Sequence, residues 1–201
     1  MLSCSDLTLR INEKFLFKNL SYTAVTSSLI ILQGNNGIGK TSFFKAICNF
    51  LPYSGSISWN GVNVLEDIQG FRSNLIYIPE RSSLHDDLTV FENLDFWMKL
   101  RGERELFFPA VQYFDLGNLL DKKFSDLSSG QKKRVELSKL LLFRASLWLL
   151  DEPDNSLDET FRERLIDLIK IRSKEGGVII MTTHNKKDLD FANYINLSDF
   201  V

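Results

Sequence analysis

The fold is decided by one stretch of sequence, SLIILQGNNGIGKT at residues 28–41. Ser28 to Gln33 is a compact apolar run that indicates a buried strand, and it leads directly into a glycine-rich turn. After the turn, apolar residues recur at helical spacing from Lys40 to Phe50. The order strand, glycine loop, helix predicts a loop whose backbone N–H groups surround an anion at a helix N-terminus.

The turn also fits the phosphate-binding pattern G-x-x-x-x-G-K-S/T. We expect Lys40 to reach the β- and γ-phosphates of a nucleotide, and the Thr41 hydroxyl to ligate Mg²⁺. A plain turn with an exposed lysine is the weaker interpretation, because the pattern lies between a strand and a helix as the chemistry requires. The residues expected to bind the nucleotide here are Gly34, Asn35, Asn36, Gly37, Ile38, Gly39, Lys40, Thr41 and Ser42.

The other apolar runs alternate between strand and helix patterns. Leu2 to Leu9 and Phe15 to Tyr22 predict an antiparallel pair of strands, and the Asn60-Gly61 turn predicts a second hairpin. Further strands are expected at 28–33, 56–59, 74–78, 147–150 and 178–182, and further helices at 89–100, 103–114, 119–124, 129–142 and 157–173. This alternation predicts an α/β fold with a mostly parallel sheet, helices on both faces, an N-terminal antiparallel β subdomain and an α-helical insert at about 88–140.

The composition indicates one globular domain. Of the 201 residues, 44% are hydrophobic and 25% are charged, so residues 1–201 are expected to form a single domain. No apolar run approaches the roughly 18 residues that span a bilayer, and the start of the chain lacks the pattern of a secretory signal. The net charge of -2 gives no electrostatic reason to expect nucleic acid as a partner. Cys4 and Cys48 have no metal-site spacing and are expected to be buried and reduced.

The strand at 147–150 is followed by two carboxylates, Asp151 and Glu152. In phosphate-loop enzymes the strand beside the loop carries an acid that holds Mg²⁺, and Asp151 fits this position. Glu152 is placed to polarise the attacking water as a general base. By itself such an ending is more often a solvated turn. The phosphate loop in the same chain favours the functional interpretation.

The segment Leu127 to Gln131 reads Leu-Ser-Ser-Gly-Gln and opens a helix. The Ser128 hydroxyl, the Gly130 backbone and the helix N-terminus form a second candidate anion site. Since one phosphate site already exists at 34–41, two such sites suggest one nucleotide held between two chains. Taken alone, the segment is a good N-cap and no more. The basic run that follows, Lys132 to Arg134, is expected to be a solvated helix face.

Together these motifs resemble the ABC-type ATPases, the nucleotide-binding subunits of ATP-binding-cassette transporters. The phosphate loop, the signature segment at 127–131 and the metal-binding strand occur in the family's order, Asn155 to Asp158 matches the family's D-loop, and His184 matches its switch histidine. The resemblance implies a P-loop NTPase fold with ATP and Mg²⁺ as cofactors. It also implies ATP hydrolysis coupled to transport, with Lys40, Glu152 and His184 as catalytic residues.

The resemblance implies protein partners as well. Two copies of the chain would pair head to tail, so that each ATP lies between the phosphate loop of one copy and Ser128, Gly130 and Gln131 of the other. Integral membrane permease subunits would complete the transporter, with this chain peripheral at the cytoplasmic face of the inner membrane. The expected docking surface is the insert and residues 82–87, with Phe91, Phe96 and Trp97 as candidate contacts.

Two positions depart from the family pattern. Glu80 replaces the glutamine that normally follows a strand in the Q-loop, and it is expected to approach the Mg²⁺ as a ligand. The family stacks an aromatic residue on adenine near the position of Ile11, where this chain has none. Phe15 and Phe17 are the candidates for that role, and both also fit strand packing.

Within the family, the sequence is most similar to the ATP-binding subunits of haem exporters of cytochrome c maturation. The similarity lies in residues 16–22, 58–61, 147–153 and 182–184. It implies coupling of ATP hydrolysis to haem export or to release of haem from its chaperone. Two alternatives stay open: an ATPase subunit of an exporter for another substrate, since membrane subunits choose the cargo, and a soluble ABC-type ATPase.

Overall fold

The structure, a computed structural model, describes residues 1–101, 104–185 and 189–201. The strands are β1 (Leu2–Ile11), β2 (Lys14–Ala24), β3 (Ser28–Gln33), β4 (Ser54–Trp59), β5 (Val62–Asn63), β6 (Leu75–Ile78), β7 (Leu147–Asp151), β8 (Val178–Thr182) and β9 (Asn193–Asn196). The α-helices are α1 (Lys40–Ile47), α2 (Ile68–Ser73), α3 (Val90–Arg101), α4 (Phe107–Tyr113), α5 (Ser129–Leu142) and α6 (Glu159–Lys174). The helix predicted from Glu103 begins outside the described residues; from 104 the chain forms a 3-10 turn that leads into α4.

A parallel sheet forms the centre of the molecule, with the strand order β6-β7-β8-β3-β9. Both faces of these strands are covered, which explains why they read as continuous apolar runs. Ile30 and Ile180 point to the side of α1, whereas Ile31 and Ile179 point to the side of α5 and α6. The predicted parallel sheet with helices on both faces is confirmed.

The antiparallel sheet, with the order β2-β1-β4-β5, packs on α1. Phe17 on β2 contacts Phe43 on α1, with their ring centroids 5.9 Å apart. Cys4 and Cys48 lie in this core as free thiols, and burial raises the pKa of each to about 12. The prediction of two buried, reduced cysteines is therefore confirmed.

The helices between β6 and β7 pack on the other side of the parallel sheet. A capping box starts α3, since the Thr89 N–H donates to Glu92 Oε2 (2.8 Å) and the Glu92 N–H donates to Thr89 Oγ1 (3.1 Å). Helix α5 has the bounds predicted for it. Among the described residues, no helix is long and apolar enough to cross a membrane.

The helix predicted at 119–124 is wrong. The chain there forms two short 3-10 turns, at 117–119 and 124–126. Besides short-range bonds such as that from the Lys122 N–H to the Leu119 carbonyl (3.0 Å), its backbone groups bond to residues around the start of α3. The Phe91 N–H donates to the Leu120 carbonyl (2.9 Å), and the Phe124 N–H donates to the Leu88 carbonyl (2.9 Å). Tertiary pairing has replaced the local helix that the apolar spacing suggested.

Candidate active site

The phosphate-binding pattern forms a loop between β3 and α1. Gly34 (φ 142°) and Gly39 (φ 113°) adopt left-handed backbone conformations, and neither has room for a side chain. A Cβ on Gly34 would lie 2.8 Å from Ile38 Cγ2, and one on Gly39 would lie 3.2 Å from Leu16. Gly39 is the N-cap of α1, and no side chain caps the helix there. The first N–H groups of α1 are therefore available to an anion.

Lys40 and Thr41 connect this loop to the ends of the neighbouring strands. Lys40 Nζ donates to the Gly34 carbonyl (2.8 Å) and to the Asn35 carbonyl (3.4 Å), so the side chain folds back across the loop. The Thr41 hydroxyl donates to Asp151 Oδ2 (2.6 Å) at the end of β7. Asp151 Oδ1 accepts from the Thr182 hydroxyl (2.8 Å) at the end of β8. The buried carboxylate of Asp151 is thus fixed toward the phosphate loop.

Glu152 lies beside this group with its carboxylate near a histidine. His184 Nε2 is 3.4 Å from Glu152 Oε1, and the histidine side chain is 70% exposed whereas that of Glu152 is 9% exposed. Burial raises the pKa of Glu152, and His184 opposes this shift. Glu152 Oε2 is buried and has no hydrogen-bond partner among the described residues. This carboxylate is held in a place where it can take up a proton.

These groups line a cavity of about 700 Å³. An adjoining cavity of about 330 Å³ is lined by Gly34 and Asn35, together with Lys40, Glu152 and His184. Of the residues expected at the phosphate site, only Ile38 lines neither cavity; it packs against the core of the antiparallel sheet. The larger cavity is lined by Ile11, Asn12, Lys14, Leu16, Asn36, Gly37, Gly39, Lys40, Thr41, Ser42, Glu80, Asp151, Glu152, Asn155 and His184.

Four lining residues, at positions 11, 12, 14 and 16, come from the hairpin of β1 and β2. The resemblance to the family pointed to the neighbourhood of Ile11 as the place of the adenine, but none of the four was expected as a site residue. Leu16 packs directly on the phosphate loop at Gly39. Phe17 is completely buried in the core and cannot stack on a base, and Phe15 does not line the cavity. The signal that could have found these residues is their place in the turn between the first two strands.

The signature segment lies in a separate pocket of about 370 Å³, which shares no lining residue with the cavity around Lys40. Ser128 and Gln131 form a capping box at the start of α5. A Cβ on Gly130 would lie 2.9 Å from the Ser156 carbonyl oxygen, so only glycine fits this approach of α5 to the D-loop segment. Within one copy of the chain, the two candidate anion sites are apart.

The expected solvated face at 132–134 is wrong for Lys133, which is 9% exposed. Its Nζ donates to the backbone carbonyl of Glu152 (3.2 Å). The burial of Lys133 could have been predicted from the helical spacing of α5, because Lys133 shares a helix face with Leu137 and Leu140, both of which are buried.

Comparison with known proteins agrees with this geometry. A family model described as "ABC transporter" matches residues 17–155. The cytochrome c biogenesis ATP-binding export protein CcmA of Wolbachia pipientis wMel is 39% identical to the chain, covering 94% of this chain and 91% of that protein. The protein of the same name from Rickettsia bellii is 35% identical, covering 98% and 100%.

The fold has close counterparts among solved structures. A bacterial ABC transporter cassette, MJ0796, whose structure is dimeric, superposes with a TM-score of 0.85 at 20% identity, covering 98% of this chain and 94% of that one. At this identity the likeness shows the fold alone. The family match and the full-length relatives go further: the chain belongs to the ABC transporter family, as an ATP-binding subunit.

Proposed function

We propose that the chain hydrolyses ATP as a homodimer bound to the membrane subunits of an exporter for cytochrome c maturation, and that haem is the cargo. The observation that carries this proposal is the similarity to proteins named for cytochrome c biogenesis export, which extends over 94–98% of the chain. We propose that the chain acts as a peripheral subunit at the cytoplasmic face of the inner membrane, a location that the resemblance to the family supports.

The metal site is proposed at Thr41, Asp151 and Glu80. The oxygens of a hydroxyl and a carboxylate meet at 2.6 Å, and the Glu80 side chain lines the same cavity. Mg²⁺ prefers such oxygen ligands and takes the rest from substrate phosphates and water. The described part of the chain holds no group of three or more His, Cys, Asp or Glu residues that could bind a metal. When bound, Mg²⁺ would neutralise charge that develops on the phosphates.

The hydrolytic step is assigned to Glu152, with Lys40 and His184 acting on the phosphates. Glu152 accepts a proton from the attacking water, a role that its raised pKa and partly unpaired carboxylate favour. Lys40 has its ammonium group at the mouth of the phosphate loop, where it binds β- and γ-phosphate oxygens. His184 is largely exposed beside Glu152, from where it contacts the γ-phosphate.

The dimer is proposed because the two anion sites lie in separate pockets. Ser128, Gly130 and Gln131 line a pocket that is separate from the Lys40 cavity, and Ser128 is exposed. A second copy related by a two-fold axis brings its signature pocket to the phosphate loop of the first. Each ATP is then enclosed by two chains.

The membrane subunits are proposed to dock on the helical insert, at about residues 88–140, and on residues 82–87. An apolar groove of about 360 Å³ lies beside this segment and is lined in part by Tyr77, Pro79, Trp97 and Phe143. Phe91 and Phe96 are 45% and 52% exposed on α3. These apolar side chains suit a protein partner rather than water.

The test is Lys40→Ala in the native host, followed by staining for covalent haem in c-type cytochromes. We expect loss of the stained cytochromes together with loss of hydrolysis by the purified variant. The matched control, Lys170→Ala, changes a half-exposed lysine on α6 and should keep both. Unchanged cytochromes with an inactive purified variant would assign the chain to an exporter for another cargo, or to a soluble ABC-type ATPase.

A further inference from the structure

Lys133 is a buried cation on α5 that the proposed mechanism does not use. Its side chain crosses from α5 to the segment after β7, where Nζ donates to the Glu152 carbonyl (3.2 Å). Burial lowers the pKa of Lys133, while the carboxylates of Glu136, Asp154, Asp151 and Glu80 oppose the shift. A buried ammonium is costly unless it is paired and hydrogen-bonded, so this placement needs a compensating role.

The backbone that Lys133 contacts is strained. Glu152 has a φ of 48°, in the left-handed region that a non-glycine residue rarely adopts. Such residues persist only where their surroundings hold them. The Glu152 N–H donates to the Thr182 hydroxyl (2.8 Å), and the Glu152 carbonyl accepts from Lys133 and, at 3.3 Å, from the Asn155 N–H. Lys133 and Thr182 are thus the two side chains that anchor the peptide groups of Glu152.

Lys133 also lies on the helix that carries the signature residues. Gly130 precedes it by one helical turn, on the same face of α5. Gly130 approaches the Ser156 carbonyl, and Lys133 bonds to the Glu152 carbonyl. Two successive turns of α5 therefore lie against the segment 152–156, which runs from the proposed general base to the D-loop, and Lys133 adds a hydrogen bond to it.

We propose that Lys133 is a positioning residue: it holds the backbone of Glu152 so that the carboxylate faces the phosphate site, and it connects this carboxylate to the signature end of α5. When contact with the nucleotide bound to the partner copy shifts α5, the hydrogen bond from Lys133 transmits that shift to Glu152 of the same copy. This inference rests on the proposed role of Glu152 as general base.

The test uses Lys133→Met, which keeps the length of the side chain and removes the donor, and Lys133→Gln, which keeps a donor without the charge. For Lys133→Met we expect kcat to fall by about 10- to 100-fold, as for a small misplacement of a reacting group. The KM for ATP should change by no more than about twofold, because ground-state binding is untouched. Lys133→Gln should recover most of the lost kcat. Lys170→Met, which changes a half-exposed lysine on α6, is the matched control and should behave as the wild type.

A second arm separates this inference from the proposed function. In a Glu152→Gln background, adding Lys133→Met should cause no further loss of the residual kcat, since both changes act through the same carboxylate. Wild-type kcat in Lys133→Met, a further loss in the double variant, or loss of ATP binding in both Lys133 variants would each overturn the positioning role. Normal hydrolysis by Glu152→Gln alone would instead overturn the proposed function on which it rests.

Discussion

The helix starts at α1 and α5 are both candidate anion sites, yet they are built in opposite ways. Helix α1 begins at Gly39, a glycine N-cap with no side-chain hydrogen bond. Helix α5 begins at Ser128, whose hydroxyl accepts from the Gln131 N–H (3.3 Å), while Gln131 Oε1 accepts from the Ser128 N–H (3.0 Å). Neither helix has an acidic residue in its first turn. Both therefore favour an anion, but in α5 a capping box occupies two of the N–H donors, whereas no side chain caps α1.

This difference indicates what each site can do by itself. The phosphate loop presents open backbone donors beside Asp151 and Glu152, and we propose that one copy of the chain binds a nucleotide and carries the groups for its hydrolysis. The signature turn pairs two of its own N–H groups, those of Ser128 and Gln131, so fewer backbone donors are open there. The Ser128 hydroxyl adds one more donor, because its hydrogen can donate to an oxygen while its oxygen accepts. We infer that α1 supplies affinity and α5 supplies the contact that closes the dimer.

The largest expected effect is a loss of hydrolysis that leaves both candidate anion sites, at α1 and α5, unchanged. Glu152→Gln removes the general base but neither helix start, so kcat should fall by about 100- to 10,000-fold. ATP binding should be retained, and the ATP-bound dimer should accumulate because its ATP is no longer hydrolysed. Single-turnover hydrolysis and gel filtration with ATP measure the two outcomes.

The matched control for this change is Glu163→Gln, at an exposed position on α6, which should leave both measurements unchanged. Normal steady-state hydrolysis by Glu152→Gln would show that another group takes the proton. In that case the left-handed backbone at 152 would have no role in the chemistry.

The next largest effect is expected on ATP affinity, when a substitution disables the α1 site. Lys40→Met takes away a charged donor to the phosphates, a loss worth about 2–5 kcal/mol, so ATP affinity should fall by at least about 30-fold. Titration calorimetry of the isolated chain measures this affinity. Lys45→Met, on the same helix but exposed in its last turn, should bind ATP as the wild type does. Equal affinity in the two variants would contradict the assignment of the phosphate loop.

Elements whose signals are local were predicted from the sequence, as β3, β8 and α5 show. In β3 and β8 the apolar run fills the strand, and α5 has a capping box at its start, so the bounds agree with the structure. The short elements α2 and β9 were missed. Helix α2 has six residues and contains Gly70, and β9 is a four-residue edge strand. Such short pieces form through tertiary contacts rather than through their own propensities.

In the candidate active site, too, features with a local sequence signal could be predicted and features that depend on tertiary contacts could not. The proximity of Thr41 and Asp151 could be expected, because the ends of parallel strands in one sheet lie at one edge. The contacts of Lys133 and Thr182 with the Glu152 backbone could not, because they depend on the left-handed conformation at Glu152 and on how α5 lies against the segment after β7. Supporting contacts between distant elements leave little trace in a single sequence.

A smaller effect should appear when the α5 site is changed at its glycine. Gly130→Ala places a Cβ 2.9 Å from the Ser156 carbonyl oxygen, so α5 or the D-loop must move. Overpacking of this kind costs about 1–3 kcal/mol, and we expect the dimer of the Glu152→Gln variant to weaken by about 5- to 150-fold. Analytical ultracentrifugation with ATP measures the dimer, while ATP binding by single copies should stay the same.

Gly117→Ala is the control for the glycine change, since a Cβ there meets nothing within 4 Å. It should leave the dimer of the same background intact. Dimers of equal strength in the Gly130→Ala and Gly117→Ala variants would place the interface away from the signature turn.

The smallest effect distinguishes a helix cap from a ligand contact, the two interpretations that the sequence leaves open for Leu127 to Gln131. Ser128→Ala and Thr89→Ala each remove the hydroxyl of a capping box, at α5 and α3, so each should cost about 1 kcal/mol of stability. For a chain of this size that is a decrease in Tm of about 2–4 °C, measured by calorimetry. Only the Ser128 hydroxyl faces the proposed interface, and losing its hydrogen bond to a phosphate should weaken the ATP-bound dimer by about tenfold. If the two variants lose equal stability and both keep a wild-type dimer, the signature turn is a cap and no more, and the difference between α1 and α5 is one of helix ends rather than of function.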